Sequence, residues 1–408
     1  MQNVKIPFQG FVATFLFITA CQSNPEQTAP MTQDDYPKPP VAAKHPQTFT
    51  EHGYQRIDDY FWLKDKTNPE TIAYLKAENA YADTVMAATK ELQNTLFEEM
   101  KGRIKEDDQS VPSFDNGYYY YSRVEKGKQY SIVCRKKGNL EAAEEIIFDE
   151  NKMAEGKAAF IMGGFEMSDD NHIAAYVSNT TGSYAEYELR FKDLRTGKDL
   201  PDVIARMGGS MAWAADNKTV FYAVPNEALR SHKIFKHVLG STIKDELVYE
   251  EKDELFNCYV GRSKTKRIVA IASSSFTSSE TRFIAADQPN ASFKVFLPRQ
   301  KDVEYNLTDH PNHLFVSWKD PQNKNRKIYQ LPKIGYEDRS TWKEIVPHDA
   351  NAKIEGTDIF EKYMVITKRV NGLLEINARI GLQAIPKPSN SPSQFIRHMQ
   401  AIPRFYLY

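Results

Sequence analysis

Through most of this chain apolar residues come in short runs, each introduced by a polar turn. Two copies of one phrase set the pattern. Ser168-Asp-Asp-Asn-His-Ile-Ala-Ala-Tyr176 and Ala214-Ala-Asp-Asn-Lys-Thr-Val-Phe-Tyr222 each place an Asp-Asn pair ahead of an apolar strand. The copies start 46 residues apart (214 − 168). Between them, Tyr187 to Asp199 reads as a polar hairpin punctuated by Gly and Asp. That spacing is the period of a four-stranded propeller blade.

The same punctuation extends in both directions. Ser113–Ser122, Tyr130–Lys136 and Ile146–Asp149 read as strands before the repeat. Phe235–Val238, Leu247–Tyr249, Ile268–Ser273, Thr281–Ala285, Lys294–Phe296, His313–Trp318, Lys327–Leu331 and Ile359–Thr367 follow it. Gly, Asp, Asn or Pro separates most of these runs. Val111 to Ala378, at about 45 residues per blade, makes an all-β propeller of roughly six blades. Ahead of it, residues 48–110 are a helical segment. Glu70 to Ala88 carries apolar residues at helical spacing behind Pro69, and Lys90 to Lys101 is a second helix. After Arg379 the alternation stops, and Pro386, Pro388, Pro392 and Pro403 oppose sheet pairing. Residues 379–408 are therefore expected to form an aberrant, disordered tail.

Composition and charge narrow the class. Basic and acidic residues number 53 and 54, so the chain lacks the basic excess of a general nucleic-acid surface. The 22 Tyr and 23 Phe suit sheet packing. Residues 1–21 resemble a bacterial lipoprotein signal: Lys5, an apolar run from Phe11 to Ala20, then Ile18-Thr-Ala-Cys21. Cys21 is the expected lipidation site, which implies a lipid-anchored place in the bacterial cell envelope. Residues 22–47, rich in Pro, Gln, Asn and Thr, read as a flexible tether. Cys134 and Cys258 form no CxxC pair and are read as buried thiols rather than a disulfide.

Several ordered phrases carry a family resemblance. They are Asp59-Tyr-Phe-Trp-Leu, Lys192-Asp-Leu through Leu-Pro-Asp202, Trp213 through Tyr222, His237-Val-Leu-Gly240, Leu247-Val-Tyr-Glu-Glu251, Phe296-Leu-Pro-Arg299 and Asn371-Gly-Leu373. In these residues the chain resembles the N-terminal part of oligopeptidase B (protease II) types, in the prolyl oligopeptidase family of serine peptidases. The resemblance implies a seven-bladed propeller, here with its seventh blade incomplete, capping an α/β-hydrolase peptidase domain. It also implies that the helical segment packs on that domain, and that short peptides are cut after Lys or Arg. A Gly-x-Ser-x-Gly elbow should follow the last blade, and residues 1–408 contain none. The composition shift after Arg379 is read as a frameshift or premature stop. The expected activity of the chain alone is nil. A tethered propeller that binds peptides or a partner protein is the rival reading.

Several residues invite a chemical reading. Gly208-Gly-Ser210-Met-Ala212 is the nearest approach to an elbow, but Met211 is bulky and Ala212 stands where Gly is needed, so Ser210 is read as a turn residue. His310 and His313 flank Pro311 and are read as solvated loop histidines rather than metal ligands. Glu144-Glu145 and Glu250 to Glu254 are read as solvated acidic turns, and Ser273 to Ser279 as a flexible hydroxyl-rich hairpin. No catalytic, cofactor or metal residue is assigned.

Overall fold

The computed structural model describes residues 37–183, 186–380 and 383–384; the signal, Cys21 and nearly all of the predicted tail lie outside them. The chain divides into two compact units, one ending at Lys105 and one starting at Glu106.

In the first unit a hairpin of β1 (Gln47–Glu51) and β2 (Tyr54–Asp58), absent from the sequence reading, precedes α1 (Pro69–Met86) and α2 (Lys90–Gly102). The α1 helix starts where local chemistry dictates. Asn68 caps it by accepting the Glu70 amide at 2.9 Å, and Pro69 occupies the first turn, where its missing N–H costs nothing. Trp62 pins the unit together. Its indole N–H donates to the Ala43 carbonyl at 3.0 Å, and its ring lies edge-on to His45 and Tyr74. The α2 helix leaves Leu92, Leu96, Phe97 and Met100 exposed.

The second unit is a β-propeller of six antiparallel sheets among the described residues. Blade 1 is β3 (Asp108–Gln109), β4 (Ser113–Asp115), β5 (Tyr118–Val124), β6 (Ile132–Lys137) and β7 (Glu144–Asp149), followed by the short α3 (Glu150–Ala154). Both β3 and β4 pair with β5, forming one interrupted inner strand. Blade 2 is β8 (Ile161–Met167), β9 (Ile173–Asn179), β10 (Glu188–Asp193) and β11 (Lys198–Ala205). Blade 3 is β12 (Met211–Trp213), β13 (Thr219–Pro225), β14 (Ser231–Val238) and β15 (Glu246–Glu250). Blade 4 is β16 (Asn257–Arg262), β17 (Ile268–Ser274), β18 (Ser279–Ala285) and β19 (Lys294–Leu297). Blade 5 is β20 (Glu304–Asp309), β21 (Leu314–Lys319), β22 (Lys327–Leu331) and β23 (Lys343–Val346). Blade 6 is β24 (Ala352–Ile359), β25 (Tyr363–Val370), β26 (Leu373–Ile380) and β27 (Gln383–Ala384). Strand pairing thus runs to Ala384, past the expected end at Ala378 and into the start of the predicted tail.

The repeated Asp-Asn phrase is the turn between the first and second strands of a blade. Asp216 accepts the amides of Lys218 and Thr219 at 3.0 and 2.8 Å, and Asn217 takes a φ of 57°. In blade 2, Asp170 accepts the His172 amide at 3.0 Å and Asn171 takes a φ of 60°. Asp supplies the acceptor such a turn needs, and Asn tolerates the left-handed backbone. The strands that follow are apolar throughout because neighbouring blades cover both of their faces; every residue of β9 is buried.

The core lies between blades. Ile173, Val177, Leu189 and Phe191 of blade 2 pack on Trp213, Val220 and Tyr222 of blade 3. Phe221 and Ile234 of blade 3 pack with Val260, Val269, Ile271 and Ile284 of blade 4. Cys134 and Cys258 are free thiols buried in blades 1 and 4. Burial pushes the Cys134 thiol up to about 11 and the Cys258 thiol up to about 12, so both stay protonated and unreactive at neutral pH.

Candidate functional site

Ser210 sits in the turn before β12, with its hydroxyl accepting the Val260 amide of blade 4 at 3.0 Å. Gly208 fits there because a Cβ would meet the Ser231 hydroxyl at 2.7 Å and the Ala223 carbonyl oxygen at 3.2 Å. A strand, not a helix, follows Ser210, and no base lies against its hydroxyl. It ties two blades together.

Contrary to the expectation, His310 is not solvated, whereas His313 is half-buried. His310 is buried. Its Nε2 faces the Glu361 carbonyl at 3.1 Å and must donate, while its Nδ1 accepts the Asn312 amide at 3.2 Å. Both ring nitrogens are therefore committed, and His313 stacks on the ring at 5.8 Å. No group of three or more metal-type ligands occurs among the described residues.

In the acidic clusters Glu251 alone departs from the solvated reading: Glu144, Glu145, Glu250, Asp253 and Glu254 are exposed, and Glu251 is buried. Glu144 and Glu145 open the strand β7. Glu144 accepts from the Tyr121 hydroxyl at 2.6 Å and from Arg123, and Glu145 pairs with the buried Arg135 at 2.8 Å. Glu251 is buried and pairs with Arg299 of the blade 4–blade 5 connection at 2.6 Å. The Tyr249 hydroxyl and the Asp253 amide also donate to it, at 2.8 and 3.0 Å. Burial opposes ionisation of Glu251, but Arg299, Tyr249 and that amide outweigh it and hold the carboxyl below its ordinary value. The serine-rich hairpin is pinned rather than flexible. Ser278 accepts the Asp302 amide, and Ser279 exchanges hydrogen bonds with the Tyr305 backbone. Phe276 at its tip stands fully exposed.

The phrases that carry the family resemblance meet in pairs across the fold. Asp202 and His237 lie 35 residues apart, yet His237 Nε2 is 3.0 Å from Asp202 and its Nδ1 is 2.8 Å from Asp245. The Gly240 amide also donates to Asp202, and Tyr222 donates to Asp245 at 2.7 Å. This clasp joins blades 2 and 3. Likewise Glu251, from one phrase, meets Arg299 from another. Their spacing is legible in sequence; their pairing is not.

One arrangement escaped sequence reading altogether. The turns between first and second strands gather at one mouth of the propeller axis. Asn116 donates to the Asp169 carbonyl and Asn171 to the Asn116 carbonyl, linking blades 1 and 2. The Asp170 amide donates to Asn217, linking blades 2 and 3. Arg267 of blade 4 donates to the His310 carbonyl of blade 5, which reaches Glu361 of blade 6. Inside this rim Glu166 projects from the inner strand β8. Its side chain stays open to water along the axis although protein surrounds it closely. That crowding, with the charge of Asp115, lifts its carboxyl to about 7 against the pull of Lys266 and Arg262.

Among the described residues the six sheets, joined through buried ion pairs, define a β-propeller. Residues 39–383 match the model of the prolyl oligopeptidase N-terminal β-propeller domain, and this chain belongs to that family. It is 37% identical over 359 residues to the dipeptidyl aminopeptidase BI of Pseudoxanthomonas mexicana, covering 82% of this chain and 49% of that protein. It is 31% identical to protease 2 of Moraxella lacunata, covering 83% of this chain and 50% of that one. Oligopeptidase B from Leishmania major superposes with a TM-score of 0.78 at 28% identity, over 84% of this chain and 51% of that structure. The chain thus spans about half the length of the relatives it matches.

Proposed function

We propose that this chain acts as the propeller portion of a serine-type oligopeptidase. The supporting observation is the match of residues 39–383 to the propeller half of proteins about twice as long. On this reading the propeller caps an α/β-hydrolase domain, admits short peptides, and leaves their cleavage after Lys or Arg to a Ser-His-Asp triad in that domain. The exposed α2 face of Leu92, Leu96, Phe97 and Met100 is the surface such a domain would cover. Purified 408-residue chain is expected to release no chromophore from a short Arg- or Lys-ended peptide above a buffer blank. Turnover abolished by a serine-reactive inhibitor would sink this reading.

The same chain is proposed to reach the bacterial cell envelope through acylated Cys21. Expressed in a bacterium, the wild type is expected in the membrane pellet and Cys21→Ser in the soluble fraction. Equal partitioning of the two would remove the lipid anchor.

A further inference from the structure

Among the described residues each propeller sheet is built only from strands consecutive in sequence. Among those residues strand pairing does not join the first blade to the last. Other contacts between them therefore carry weight.

The turn between β16 and β17 in blade 4 is placed to do it. In the repeat, Ser263-Lys264-Thr265-Lys266-Arg267-Ile268 aligns with Ser168-Asp169-Asp170-Asn171-His172-Ile173 of blade 2. The two turns are built alike. The Ser263 amide donates to Ile268 at 2.8 Å and the Ser168 amide to Ile173 at 2.9 Å, and Lys266 takes a φ of 61°, as Asn171 takes 60°. What differs is charge. Blade 4 carries Lys264 and Lys266 where blade 2 carries Asp169 and Asn171.

Those cations reach other blades. Lys266 Nζ lies 2.9 Å from Asp115 of blade 1, and Lys264 Nζ lies 3.0 Å from Asp358 of blade 6. Arg262, at the end of β16, binds Asp169 of blade 2 through two hydrogen bonds of 3.0 and 2.7 Å. In a ring of consecutive blades, blade 4 has only blades 3 and 5 beside it. Bonds from it to blades 1, 2 and 6 must cross the axis. Lys264 also lies over the Phe360 ring at 4.3 Å, which fixes it against blade 6.

We propose that the Ser263–Arg267 turn is an axial staple, tying the first and last blades to each other through blade 4 in place of strand pairing. The bonds are ionic and about two-thirds shielded from water at Lys266 and Asp115, so salt and charge removal should both release them. Release frees the edges of blades 1 and 6 without unfolding the blades between them.

Hydrogen exchange read by mass spectrometry on the full chain tests this. In Lys264→Ala/Lys266→Ala, amides of β5 and β25 are expected to exchange about tenfold faster, while those of β13 and β21 are unchanged. Raising salt from about 0.02 to about 0.5 M should reproduce the pattern in the wild type. This salt comparison decides the matter if the variant does not fold. Lys266→Asp alone should loosen blade 1, and Asp115→Lys/Lys266→Asp should restore it. Lys236→Ala, which removes an ion pair with Glu246 inside blade 3, should leave β5 and β25 untouched. Faster exchange spread evenly over all blades, no salt response, or a charge swap that fails to restore blade 1 would each overturn the staple.

Discussion

Trp213→Ala is expected to destabilise the propeller by about 4 kcal/mol, within the range for deleting a buried aromatic side chain. Trp213 is 2% exposed and lies where blades 2 and 3 meet. Its ring stands edge-on to Phe191 at 6.0 Å, and its indole N–H donates to the Glu166 carbonyl at 3.1 Å. Truncation therefore opens a cavity at a joint between two sheets and removes one hydrogen bond to the inner strand. Trp213→Phe keeps most of the volume and loses the hydrogen bond, so it should cost about 1 to 2 kcal/mol. Urea unfolding with an unchanged slope measures both. A loss below about 1 kcal/mol for Trp213→Ala would mean that the joint collapses to fill the space, and the packing argument would fail.

Arg299→Met is expected to cost about 3 to 5 kcal/mol, because it strands the Glu251 carboxylate in the interior. Glu251 is 5% exposed at its side chain, and Arg299 also covers the Phe256 ring at 3.7 Å. The pH dependence gives the sharper test. In the wild type the Glu251 carboxyl is held below its ordinary value, so its contribution is present above the unfolded carboxyl range and is lost as pH falls through the folded value. Without Arg299, burial dominates and the carboxyl rises. The contribution then runs the other way, present at low pH and lost as pH rises through the raised value. Acidification from neutrality towards pH about 5 should thus stabilise Arg299→Met relative to the wild type. Adding Glu251→Gln should recover part of the loss at neutral pH and flatten that difference. A pH profile parallel to the wild type would show that Glu251 is not charged behind Arg299.

Both predictions fall on residues that the sequence marked for another reason. Trp213 and Arg299 lie in phrases that carry the family resemblance, and the structure gives those phrases a physical role. They are the joints between blades. The turns were legible because their chemistry is local: Asp216 bonds its own neighbours and Asn217 supplies its own left-handed backbone. Helix α1 was legible for the same reason, through Asn68 and Pro69. The β1–β2 hairpin was missed because β1 and β2 are mostly exposed and carry no apolar alternation to read. Glu251 looks solvated in sequence, and only the tertiary structure buries it against Arg299.

What the sequence alone determined is therefore everything set by near neighbours: the 46-residue period, the short apolar strands, the caps, the buried thiols and the family. The period is visible because each blade solves the same local problem, a tight turn followed by a strand covered on both faces. What only the tertiary structure decided is which charges meet. Lys264 and Lys266 find Asp358 and Asp115 at separations of 94 and 151 residues, and nothing in the intervening text encodes those partners. Ring closure brings them together. The inner ends of the blades converge on one axis, so residues far apart in sequence come within ion-pair distance there, and a change from Asp and Asn to Lys acts on blades the chain left long before.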